Sequence, residues 1–163
     1  MESKAKLLGH PVHPMLIVFP LGLLATAVIF DIVRLITGNG RWSEIAYYNI
    51  GAGVIGGLLA AVFGLLDWLA IPAGTRAKQI GLWHGGGNVV VTALFAVSWL
   101  LRRGHPANPG GAALALAFVA VVLALVTAWL GGELVDRLRV GVDDGAHLDA
   151  PSSLSGRPAR EGR

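Results

Sequence analysis

The chain is predicted to be all-α: an integral membrane four-helix bundle with both termini on the same side. Two observations predict this. Charged residues make up 14% of the 163 residues and hydrophobic ones 54%, with a mean hydropathy of +0.63, whereas a soluble domain carries about 25% charge. The missing charge is also concentrated in four long stretches, each near the roughly 20 apolar residues that a helix needs to cross a bilayer.

The first stretch, Met15–Phe30, has no charge, and its apolar pattern continues past Asp31 to Ile36. Lys4, Lys6 and the small-residue triplet Ala25-Thr26-Ala27 resemble a cleavable signal. The apolar run continues through Val28, Ile29, Phe30, Ile32 and Val33, which suits a retained helix better. Pro14 fits a first helical turn, where its missing N–H would be unpaired anyway, and Pro20 should kink the helix further in. The second stretch, Ile45–Leu66, carries Gly53, Gly57, Ala60 and Gly64 three or four residues apart on one face. Such a stripe admits a neighbouring helix or a flat cofactor. The third, Gln79–Leu101, holds His84 and Gly85-Gly86-Gly87; no strand precedes the glycines and no Lys-Ser/Thr follows, so they are no phosphate loop. The fourth is apolar from Ala112 to Gly132.

These stretches place spans at about 15–36, 45–69, 79–101 and 112–132, in one domain covering 1–142. The tail, 143–163, is acidic and then rich in Pro, Ser, Gly and Arg, a composition that builds no core and predicts disorder. Four spans put the termini and the second loop together, with Lys4, Lys6, Arg76, Lys78, Arg137, Arg139, Arg157, Arg160 and Arg163. The other side holds Arg34, Arg41, Arg102 and Arg103. The bias places the termini in the cytoplasm. It also accounts for the formal charge of +3 and pI near 9.8 without nucleic acid. With no cysteine, disulfides, iron–sulfur clusters and thiol chemistry are excluded. No nucleophile elbow or Ser/His/Asp pattern is present, so the chain is not expected to be a hydrolytic enzyme.

What stands out is histidine at one bundle end. His10-Pro11-Val12-His13-Pro14 opens the first span and His84 enters the third, and histidine inside a membrane is costly and usually functional. Residues before proline avoid the α region, so His10 and His13 are expected to be extended, with His13 near the helix N-cap. Asp67, Asn88 and Glu133 lie at the same end. Three readings stay open. Haem b between helices would take His13 and His84 as axial ligands, His10 as a substitute, Asn88 nearby, and Arg76 or Lys78 at the propionates. A divalent metal would take His10, His13, His84 and a carboxylate, Asp67 or Glu133. In the third reading no cofactor is bound and the cluster serves folding or partner docking. Glu133 with Arg137, and Asp31 with Arg34, look like ordinary helix-surface pairs.

The segments HPVHPMLIVFPLGLL, GLLDWLAIPAGTRAK, GLWHGGGN and WLGGELVDR, spread from Leu8 to Val142, resemble the bacterial membrane proteins grouped as domain of unknown function 2231. The resemblance implies a four-helix inner-membrane protein without an assigned activity, its histidine motifs falling on His10, His13 and His84. Some relatives carry a Rieske domain or occur with cytochrome modules, which implies redox company. With no cysteine and no such domain expected on this chain, a separate redox partner would be needed. The partners expected are thus the lipid bilayer and a redox protein; a homo-oligomer stays open.

Overall fold

A computed structural model describes residues 1–161; residues 162–163, the end of the tail, lie outside it. Its four helices are α1 (Val12–Thr37), α2 (Arg41–Ala70), α3 (Arg76–Leu101) and α4 (Gly111–Gly132). A wider π-type turn, Glu133–Arg137, prolongs α4. Each is long and apolar enough to cross a membrane, and no more than 28% of any span's most apolar window is buried inside the bundle. The remainder presents residues such as Leu58, Val62, Val122 and Leu125 outward. In water this would be an apolar surface far larger than a monomer tolerates; in lipid it costs nothing. The five tryptophans mark the two interfaces: Trp68, Trp83 and Trp129 at the end where α1 begins, Trp42 and Trp99 at the other. The N-terminus and the chain leaving α4 lie together at the first end, where the Met1 ammonium donates to Arg139 O at 2.9 Å.

Before α1 the chain makes a minimal hairpin, β1 (Lys6–Leu7) against β2 (His10–Pro11). Its turn needs two left-handed residues, supplied by Leu8 (φ 51) and Gly9 (φ 86). Val12 N–H then donates to Ala5 O at 2.9 Å, so the ladder leads directly into the helix. His10 is extended as expected. His13 is not: it lies in the first turn of α1. The steric bias against helix before proline is outweighed here, because Pro14 still falls in the first turn, where no helical N–H bond is lost.

Helix α1 packs along α2, and α3 along α4, more extensively than the two hairpins pack on each other. The small-residue stripe of α2 explains the first contact. A Cβ on Gly53 would stand 2.7 Å from Leu24, one on Gly57 3.7 Å from Pro20, and one on Gly64 2.8 Å from His13. The stripe is therefore spent inside the bundle, as a seat for α1.

The two hairpins repeat one pattern. A shift of 71 residues carries Asp31 to Arg102, and the same shift carries His13 to His84, Leu24 to Phe95 and Ala27 to Ser98. A second constant shift carries Ala46, Ile50, Gly53, Ala60 and Gly64 to Ala113, Ala117, Ala120, Thr127 and Gly131. Except for the two histidines and the two late glycines, these residues are all buried. α1 and α3 run in the same sense, so the halves are parallel repeats around an approximate twofold along the bundle axis.

At the end away from the termini, Asp31 and Arg102 close this axis. The guanidinium donates from Nη1 and Nη2 to the two carboxylate oxygens at 2.9 and 2.7 Å. Ser43 Oγ donates to Asp31 at 3.1 Å, Arg102 Nε to Ser98 Oγ at 3.2 Å, and Ser98 Oγ to Ala113 O at 2.7 Å. All four helices thus meet at a pair with 0% and 1% side-chain exposure. The expected Asp31–Arg34 pair does not form; Arg34 turns to Asn108. A carboxylate facing the bundle interior gains most from a planar donor that can reach it there, and Arg102 enters from the diagonal helix.

Asp31→Ala leaves Arg102 buried without a counter-charge and should cost about 3–5 kcal/mol, read as a lower unfolding midpoint in detergent. A loss under about 1 kcal/mol would be the behaviour of a solvent-exposed pair and would contradict this burial.

Candidate functional site

At the terminal end the two equivalent histidines face each other across the axis, with ring centroids 6.4 Å apart and planes at 90°. Each is anchored in the same way. His13 Nδ1 lies 2.9 Å from Ala60 O, and His84 Nδ1 lies 2.8 Å from Thr127 O. A carbonyl only accepts, so both Nδ1 atoms carry the proton, and in the neutral rings both Nε2 atoms keep a free lone pair. Each carbonyl belongs to the residue four before a glycine, Gly64 or Gly131, that the ring rests on. A Cβ there would come within 2.8 Å of His13 Cε1 or 3.0 Å of His84 Cε1.

Around His84 the network continues. Thr127 Oγ1 donates to Asn88 Oδ1 at 3.1 Å, and Asn88 Nδ2 donates to His84 O at 2.9 Å. The same amide faces His84 Nε2 at 3.5 Å, too long for a strong bond. Thr127 was not singled out from the sequence. Its signal is a lone buried hydroxyl in the apolar run of α4, four residues before Gly131. Ala60 contributes only a carbonyl, which no side-chain motif reveals.

The other candidates sit elsewhere and have partners of their own. His10 is exposed, with Nε2 3.4 Å from Ser153 Oγ. Asp67 accepts from Ser3 Oγ at 2.7 and 2.9 Å and from Lys4 N–H at 2.8 Å, tying the N-terminal segment to α2. Glu133 pairs with Arg76 at 2.7 Å, not with Arg137: the π-type turn alters the four-residue spacing on which a helix-surface pair depends. Lys78 donates to Trp68 O at 2.7 Å and stands 4.0 Å over the Trp68 ring, while Trp68 Nε1 donates to Lys78 O at 3.1 Å. This reciprocal clamp closes the α2–α3 loop. Among the described residues, no group of three or more His, Asp or Glu comes together as a metal cage.

The N-terminal segment and the chain after α4 cover this end. Lys6 bridges Glu2, at 2.8 Å, and Asp143, and Ser153 Oγ donates to Leu8 O at 3.2 Å. Asp143 and then Glu2 raise the Lys6 ammonium above its ordinary value, and Lys6 and the Asp144 N–H lower the Glu2 carboxyl.

Gly64→Ala and Gly131→Ala each push a methyl group into a histidine ring. Each should destabilise the protein by about 1–3 kcal/mol and break the Nδ1 bond on its own side, measured as the ¹⁵N shift of that ring. An unshifted ring would contradict the contact.

Neither a curated protein nor a solved structure matches the chain. A family described as "Predicted membrane protein (DUF2231)" matches residues 9–144, a segment that contains the paired histidines, the clamp and the buried ion pair. The chain belongs to this family of predicted membrane proteins, domain of unknown function 2231.

Proposed function

We propose that the chain is a multi-pass protein of the bacterial cytoplasmic membrane that holds haem b between His13 and His84 and passes electrons to a separate redox protein. The observation that carries this reading is the matched pair of rings, each fixed through Nδ1 to a backbone carbonyl. Metal-bound histidines are commonly oriented in that way. The two rings stand 6.4 Å apart between centroids, close enough for one bound group to engage both. Two histidines without a third ligand fit an axial pair better than a bare divalent ion, which asks for about four donors. Bound there, haem would be held by His13 and His84 and would supply one-electron chemistry.

The chain's own groups have defined parts. Ala60 O and Thr127 O hold the tautomers, Gly64 and Gly131 let the rings reach those carbonyls, and Asn88 stands beside His84 Nε2. His10 lies outside the pair, and Arg76 and Lys78 are engaged by Glu133 and Trp68. The basic residues at this end support a cytoplasmic position for it. A second reading has one observation in its favour: the close fit of each ring on its glycine would also serve purely as helix packing.

The test is a reduced-minus-oxidised spectrum of protein purified from haem-replete cells. The expected result is a b-type spectrum that is lost in His13→Ala and His84→Ala and kept in His10→Ala. A colourless protein, from cells with ample haem, would leave the packing reading.

A further inference from the structure

We propose that the buried Asp31–Arg102 pair is a positioning device that sets the level of His13 against His84 at the far end of the bundle. Asp31 and His13 are separated by about five helical turns, roughly 27 Å along α1, and so share one face of that helix. Arg102, which caps α3, and His84 are separated by the same number of residues. The two helices are diagonal in the bundle, and their backbones stay apart while their side chains share one apolar core. The space between is filled by apolar side chains, with Ile50 and Phe95 at 0% exposure.

The soft coordinate of such a bundle is sliding of one hairpin along the other, because contacts within each hairpin are the more extensive. Apolar contacts resist sliding weakly, since one leucine-sized surface replaces another. A two-pronged ion pair does not tolerate it. Moving α3 by one turn, about 5.4 Å, takes the guanidinium out of reach of the carboxylate and leaves two desolvated charges unpaired, which is strongly unfavourable. Ser43 and Ser98 fix the pair further by bonding the carboxylate from α2 and the guanidinium from α3. Helices are stiff along their axes, so a register set at Asp31 and Arg102 is transmitted to the histidines. This role concerns how the two rings are brought level and does not depend on what they bind.

The test uses the full chain, which has no cysteine, with spin labels at Val18→Cys and Val89→Cys. These are equivalent positions near the histidines, 58% and 66% exposed, with room for labels in lipid. Three backgrounds are compared by pulsed dipolar spectroscopy, with the unfolding midpoint recorded for each. The otherwise unchanged protein should give one narrow distance. Asp31→Leu with Arg102→Leu should fold, since apolar replacement of a whole buried pair is tolerated, but lose the single narrow peak. Asp31→Arg with Arg102→Asp, which exchanges the charges, should recover it. A narrow, unshifted distance in the leucine variant overturns the proposal. So does a broad one in a folded charge-exchanged variant, which decides the matter even if the leucine variant does not assemble.

Discussion

A carboxylate and a guanidinium removed from water cannot be left apart, and this constraint organises the bundle. Removing either partner strands a charge where neither lipid nor side chains can solvate it. Asp31 and Arg102 therefore have to meet, and they meet only when the α1–α2 and α3–α4 hairpins are docked at one depth and one rotation. In water the hydrophobic effect would drive that docking. In lipid it does not, and shape and polar contacts decide instead. The glycines of α2 settle shape within the first hairpin; the ion pair and its two serines settle how the hairpins face each other.

The same logic operates at the opposite end with neutral groups. Each histidine meets the carbonyl of a neighbouring helix and rests on a glycine, in the same arrangement on both sides of the axis. The repeat explains why two different-looking segments, HPVHP and LWHGGGN, deliver equivalent rings. It also explains why opposite charges occupy equivalent positions. An approximate twofold brings equivalent residues face to face, so one carboxylate requires one cation.

Much of the fold was legible in the sequence, because span length and charge depletion report directly on the bilayer. The helices begin a few residues earlier than hydropathy alone places them, at Val12, Arg41 and Arg76, since polar residues at helix starts lie in the headgroup region. The histidine pair was legible as a pair; its anchoring was not, because Ala60 contributes a backbone atom. The partners of Asp31 and Glu133 were misread for one reason. Spacings of three and four residues suggest local pairs with Arg34 and Arg137, while diagonal and cross-loop partners, Arg102 and Arg76, leave no local trace. The repeat escaped because it preserves burial and geometry but few identities: a histidine maps to a histidine, yet an aspartate maps to an arginine and an alanine to a threonine.

The histidine site depends on which ring nitrogen carries the proton. Selective ¹⁵N labelling of histidine, with spectra of the detergent-solubilised protein and of its His13→Ala and His84→Ala variants for assignment, measures this without any cofactor. Neutral rings protonated at Nδ1, each with an unprotonated Nε2, are the predicted result for both residues. Protonation at Nε2 in either ring would place a donor where a lone pair is required, and would contradict the site as described.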